Sequence, residues 1–400
     1  MLKLHILRAN CGDCFILEFA KNSNKSKYIL IDGGPKGVFE NYLRPFLEEY
    51  SGIEFELVVA THNDDDHVIG LSRLVETIYS QGFSTHKLAK IKEFWYNSLE
   101  ATIESNDYKK NKLTRALETP KEPDLEFDDK RMEKLFAKSM ELGEPEFLKR
   151  SYKSGLELRD KLKNMNIPIN KEFKDELISL DSPNPTRNFD GHLSLEIIGP
   201  FQKQLDNLME KWLKWFKKYA SKLKSRDIRG SLKDNSVPNL SSIMFLAEAD
   251  GKTILFTGDG LGDHIIQGLR ERQILTGETM EVDVLKLPHH GSERNISEKF
   301  FKTILAKSYV ASGNGDYDNP SAKTLIMIAK AAKSLGRKVT IYITYDSKDI
   351  DDSDKVGKKR KKKLKTQLDN FQNECPKNKY TYELKTIDSD KDVLTLELSE

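Results

Sequence analysis

Three cysteines in 400 residues are too few, and odd in number, for a disulfide framework. No run of about 18 apolar residues signals a membrane-spanning helix. The opening MLKLHILRAN lacks the apolar stretch of a secretory signal, and no internal repeat stands out. Neither sign of charge dominates: 65 Lys and Arg oppose 63 Asp and Glu, a net charge of +2. That balance excludes a uniformly basic nucleic-acid coat and an acidic tail protein. Any electrostatic targeting must then come from local segregation of charge. The expectation is a soluble cytoplasmic protein. With 38% hydrophobic residues, a chain of this length can bury a substantial core in one domain with insertions.

What is present is a rhythm of strands ending in polar clusters. Leu2, Leu4 and Ile6 alternate with Lys3 and His5, the period of a half-buried strand. CFILEFA and KYILIDGG follow, separated by a polar turn. A helix-like stretch comes after Pro35, and ELVVATH then runs into NDDDH. Later, SSIMFLAEADGKTILFTGDG reads as a hairpin turning at Asp250-Gly251. EVDVLKLPHHGS is a strand ending in histidines, and KVTIYITY and the final YTYELKTIDSDKDVLTLEL add more strands. Helical periods after Asp66, after Asp259, near Ser297 and after Pro320 make an α/β class with layered sheets the expectation. Residues 100–190 and 201–235 read as helical insertions into a single 1–400 domain, with SLEIIGP from Ser194 returning to the sheet.

Three polar clusters carry the chemistry. His62-Asn63-Asp64-Asp65-Asp66-His67 packs two imidazoles and three carboxylates into six residues. A divalent metal would neutralise such a cluster, since imidazole nitrogen and carboxylate oxygen are its natural ligands. Alternatively it is a solvated acidic turn or helix cap. Asp259 follows a strand between two glycines, as a ligand or as the start of a helix. His289 and His290 close a third strand, so one could bind metal while its neighbour moves a proton. Together the clusters supply ligands enough for two metal ions.

This order of motifs resembles the metallo-β-lactamase superfamily, whose hallmark is a strand ending in His-x-His-x-Asp-His, then a Gly-Asp turn, then a late His. Here the loop reads His62-x-Asp64-x-Asp66-His67, with Asp in the second ligand place. It looks most like the metallo-β-lactamase domains of competence DNA-uptake channel proteins and their free-standing relatives. Those carry a Gly-x-Gly-Asp-like turn, an Asp-Gly-Gly, a Thr-Gly-Asp turn and a His-His-Gly-Ser, where this chain has Asn10-Cys11-Gly12-Asp13, Ile31-Asp32-Gly33-Gly34, Thr257-Gly258-Asp259 and His289-His290-Gly291-Ser292. The likeness spans about 1–96, 192–200, 236–345 and the last strands.

The resemblance implies an αββα sandwich with two divalent ions, Zn or Mn, along one edge. His62 and Asp64 would hold one ion, Asp66 and His67 the other, with Asp259 bridging and His290 or His289 completing a shell. Asp32 would orient the ligand loop. Asn239, Ser242 and Asn319 would support the site, Asn319 standing where the relatives have His. No separate mid-chain histidine ligand stands out, and His192 reads as structural, as does Cys11-x-x-Cys14.

The implied activity is a metal-dependent phosphodiesterase or nuclease with a phosphodiester substrate, DNA or RNA among the candidates. Asp66, Asp259 and His289 are its candidate catalytic residues, with the spare histidine protonating the leaving oxygen. Alternatives are ester, lactone, thioester or amide hydrolysis on the same fold, or a silent nucleic-acid or protein-binding scaffold. Two basic segments bear on this. In 201–235, Leu205, Leu208, Met209, Trp212, Trp215, Phe216, Tyr219 and Leu223 follow helical spacing with lysines opposite, an amphipathic helix packing on the core or, alternatively, lying on a membrane surface. Lys358, Lys359, Arg360, Lys361, Lys362 and Lys363 form a run that signals a polyanion partner or a disordered loop, partly neutralised by the acidic DIDDSD before it.

Overall fold

The alternating start of the chain forms strand β1 (Leu2–Leu7). Its lysine face is less open than the alternation suggests: His5 is buried, bonded to Glu18 and covered by Phe46 and Tyr50. The computed structural model describes residues 1–21, 25–50, 52–82, 88–98, 157–173, 177–206 and 241–398. Among them, fifteen strands form two mixed sheets with helices packed on them, so the protein is mixed α/β.

The first sheet holds β1, β2 (Phe15–Phe19), β3 (Lys27–Ile31), β4 (Ile53–Val59), β5 (Ala89–Ile91) and β6 (Phe94–Trp95). The last strand, β15 (Val393–Glu397), pairs with β1 at its edge. β3 and β4 run parallel, whereas β1, β2 and β3 form an antiparallel meander. The second sheet runs β14 (Tyr382–Thr386), β13 (Val339–Ile343), β12 (Ile304–Ala311), β11 (Met280–Lys286), β10 (Lys252–Phe256), β9 (Met244–Ala249), β8 (Leu193–Gly199) and β7 (Thr186–Phe189). Strands β10 to β14 are parallel, and the β9–β10 hairpin turns at Asp250-Gly251 through two positive φ angles.

Three apolar clusters define the layers. One lies between the sheets, with Leu4, Phe15, Ile31 and Val59 of the first against Ile197, Phe245, Phe256 and Val284 of the second. The outer face of the first sheet is covered by α1 (Arg44–Glu49), α2 (Asp65–Gln81) and helical residues 157–164, through Phe46, Leu71, Val75, Leu158 and Leu162. The outer face of the second packs under α3 (Gly262–Glu271), α4 (Glu298–Thr303), α5 (Ala322–Ser334) and α6 (Lys355–Asn378).

Two expectations change here. Thr186–Phe189, assigned above to the first helical insertion, is an edge strand pairing with β8. The lysine run is neither loop nor disorder but the start of α6, whose Leu364, Leu368, Phe371 and Cys375 recur at helical spacing and are buried. Residues 99–156 and 207–240, which hold most of both expected insertions and all but Leu205 of the amphipathic stripe, lie outside the described residues.

The parallel strands β3, β4, β10, β11 and β12 bring their carboxyl ends to one edge, where ligand sites of open α/β sheets form. Two glycines let the loops there close on each other. A Cβ on Gly12 would sit 1.8 Å from the Asp66 carbonyl oxygen, and one on Gly70 would sit 1.8 Å from that of Gly33. The G70A variant is therefore expected to lose about 1–3 kcal/mol of stability through forced separation of α2 from the β3 turn. An unchanged urea midpoint would show that this contact does not constrain the fold.

Candidate metal centre

The loop after β4 starts with Thr61, whose backbone N–H and hydroxyl both donate to the Asp32 carboxylate at 2.8 Å. Asp32, at the end of β3, adopts φ 57° and accepts from His67 Nδ1 at 2.8 Å. It thus ties two turns together. Asp64 occupies the position before α2, yet its side chain does not cap the helix, and Asp259 precedes α3 by more than the capping position. Neither aspartate is explained as a helix cap.

The four histidines of the clusters meet around Asp259. His67 Nε2 is 3.4 Å from its Oδ1, while the Nε2 atoms of His290, His289 and His62 lie 3.5, 3.6 and 3.9 Å from Oδ2. These separations are long for hydrogen bonds. They suit donors sharing a cation: ligands about 2.1 Å from a tetrahedral ion sit about 3.4 Å apart. The Nε2 atoms of His62, His67 and His290, with Asp64 Oδ1 and Asp259 Oδ1, are buried and have no hydrogen-bond partner. Buried polar atoms are rarely left so. Asp66 closes the ring, 3.5 Å from His290 Nε2.

Asp13, His67, Asp259 and His290 offer ligand atoms all within 4.8 Å of one another and could hold a metal ion. Asp13 stands apart within this group, because it faces Nδ1 of His290 at 3.2 Å and Nδ1 of His67 at 3.9 Å, behind the rings. It also pairs with Lys286, a fully buried ammonium that donates to the Gly258 carbonyl at 2.8 Å and lies 3.8 Å from Asp259 Oδ1. This is the carboxylate–histidine arrangement that fixes the tautomer and orientation of a metal-binding imidazole.

The charges perturb one another strongly. Burial alone would lower the His67 and His290 pKa values. The carboxylates of Asp32 and Asp259 outweigh it for His67, and those of Asp259 and Asp13 for His290, holding both well above the ordinary range. Burial pushes His62 down to about 3, helped by the neighbouring His67 charge. Burial and the Asp66 charge raise Asp64 well above the carboxylate range, whereas the His290, His289 and His67 charges hold Asp259 far below it despite burial.

The supporting residues fall as follows. Ser242 Oγ accepts from the Asp259 backbone N–H at 3.1 Å, and Asn319 Nδ2 donates to the His289 carbonyl at 3.4 Å. Asn239 lies outside the described residues. His192 pairs with Asp250 at the hairpin turn and takes no part in the centre. Cys11 and Cys14 are unpaired thiols in the β1–β2 connection, the Cys11 thiol pushed up to about 12 by burial. Of the basic run, Arg360, Lys361 and Lys363 pair with Asp316, Asp352 and Asp318, while Lys358, Lys359 and Lys362 are exposed.

Asp13 and Lys286 were missing from the sequence-derived site. Asp13 belongs to a motif singled out above, but its turn gave no sign of pairing with a histidine 277 residues away. Lys286 is the charged residue inside the apolar VLKLP run, the one signal that could have marked it. No protein-family model matches the chain, and no curated protein is significantly similar to it.

A cation entering this centre must displace the protons of His67 and His290. Deprotonation proceeds as pH rises, so apparent affinity for Zn or Mn is expected to rise with pH across the neutral range. Calorimetric titration in buffers of differing ionisation enthalpy would record the released protons. Affinity independent of pH, with no proton release, would contradict this placement of the two imidazoles.

Proposed function

We propose that the chain is a metal-dependent hydrolase of the metallo-β-lactamase type, holding two divalent ions, Zn or Mn, and cleaving phosphodiesters as a phosphodiesterase or nuclease. One observation carries the proposal: imidazole Nε2 atoms converge on Asp259 with no protein partner of their own. Sheets facing each other with helices outside, and ligand motifs in the order of that superfamily on successive strand ends, add support.

His62, Asp64, Asp66, His67, Asp259 and His290 would hold the ions. Their donor set of imidazole and carboxylate suits zinc and manganese alike. Bound there, divalent ions supply a water of lowered pKa and a positive surface for phosphoryl oxygens. The chain supplies the rest. Ser242 and the Gly258 backbone, the latter gripped by Lys286, set the direction of the Asp259 carboxylate. Asp66 and His289, each with 27% of the side chain exposed, form the open edge from which a substrate can approach. Lys358, Lys359 and Lys362 on α6 would attract a polyanion from solution. Their helix is tied to the 316–318 turn by Arg360 and Lys363, and that turn precedes Asn319, which holds the His289 backbone.

Purified protein loaded with Mn or Zn is expected to hydrolyse bis-p-nitrophenyl phosphate. Asp259→Ala and His67→Ala should each lower turnover by more than the about 10–100-fold typical of losing an outer-shell partner. Metal-loaded protein that turns over neutral esters or lactones but no phosphodiester would transfer the assignment to the ester class.

A charge reversal at Lys358, Lys359 and Lys362 together tests the polymer. For a nucleic-acid substrate it should weaken strand binding and reduce the salt dependence by about one unit of slope per lost phosphate contact. Cleavage of the small chromogenic diester should stay unchanged. Strand binding unaffected by the reversal would remove α6 from the substrate path.

A further inference from the structure

Asn295 decides what His289 can offer. Its Nδ2 donates to the Asp259 carbonyl at 3.2 Å, which fixes the direction of the amide. The amide Oδ1 therefore faces His289 Nδ1 at 3.0 Å. An amide oxygen only accepts, so the proton of the neutral ring sits on Nδ1 and Nε2 carries the lone pair. That lone pair lies 3.6 Å from Asp259 Oδ2, close to the 3.5 Å of His290 on the same oxygen.

His62 is prepared in the same way. The Thr61 hydroxyl gives its hydrogen to Asp32, so toward His62 Nδ1, 3.0 Å away, it can only accept. His62 Nε2 then also reaches Asp259 Oδ2 as a lone pair. An imidazole that carries a metal ion presents Nε2 as a lone pair with its hydrogen held on Nδ1, the arrangement that both rings adopt.

Resting on the metal-centre reading above, we propose that His289 is a metal ligand through Nε2, and that Asn295 is the positioning residue that sets its tautomer. His289 thereby joins His62 and His290 on the Oδ2 side of Asp259, where no imidazole from the middle of the chain arrives among the described residues. Coordination through Nε2 would preclude the proton-donor role expected of His289 from the sequence.

The test uses the full chain and one ion at a time. Calorimetric affinities for Mn and for Zn are compared among wild type, H289A and N295L. Both variants are expected to bind at least about 10-fold more weakly. In the metal-free wild type, two-bond proton–nitrogen spectra should show His289 as the Nδ1–H tautomer at neutral pH, a readout that needs no variant to fold. Full affinity in H289A would overturn the proposal, as would an Nε2–H tautomer. Wild type that binds neither ion would overturn it together with the metal reading. Wild type that binds, with loss in H289A but no phosphodiester turnover, would uphold the ligand and remove only the proposed activity.

Discussion

Four imidazoles held from behind are the constraint on which the centre depends. Thr61, Asp32, Asn295 and Asp13 each engage an Nδ1 of His62, His67, His289 and His290 in turn. With Nδ1 occupied, every ring must present Nε2 forward, and all four Nε2 atoms face one carboxylate. No single bond here is strong, since a net hydrogen bond contributes about 0.5–1.5 kcal/mol. Their joint effect is directional: they remove ring rotation and tautomer choice before any cation arrives.

Such an arrangement is costly to assemble from water. Buried carboxylates at Asp13, Asp32, Asp64 and Asp259 crowd a region where Lys286 is the one buried lysine among the described residues. An ammonium buried beside Asp13 and Asp259 keeps its charge because, against the opposing pull of burial, the two carboxylates raise its pKa. Lys286 therefore acts as an internal counter-ion. It offsets part of the negative charge and leaves the remainder for His67 and His290. The backbone must be stiff for this to work, and the close approach of Gly12 to Asp66 and of Gly70 to Gly33 supplies that stiffness. His289 and His290 add to it with φ angles of 46° and 55°, a conformation that L-residues adopt only when neighbours enforce it.

Much of the centre was legible in the sequence because its residues sit where apolar strands stop. β4, β10 and β11 announce themselves by hydrophobic runs, and His62, Asp259 and His289 follow within a few residues of each. The partners behind the rings were not legible. Asp13 meets His290 across 277 positions, and no local pattern encodes that pairing. Asn295 is a loop residue with nothing in its neighbours to show which side chain it faces. α6 was missed for another reason: its lysines mask the spacing of Leu364, Leu368, Phe371 and Cys375, so charge density outweighed periodicity. His5 shows the converse error, since a strand alternation cannot reveal that α1 will cover the polar face.

The near-cancellation of 65 positive and 63 negative residues is repeated locally along α6. Arg360, Lys361 and Lys363 are matched by Asp316, Asp352 and Asp318, exposed or half-exposed pairs of the kind worth at most about 1 kcal/mol each. Pairs that weak can exchange an aspartate for a phosphate at little cost, so the matched cations are not lost to a polyanion. Under the proposed function they would be held in place for one. The aspartates of the centre have no such freedom, being buried and bonded from within. Charge on this chain is thus exchangeable at the surface of α6 and fixed at the strand ends. That difference is what the proposed cation site and the proposed polyanion-binding face would require of the same chain.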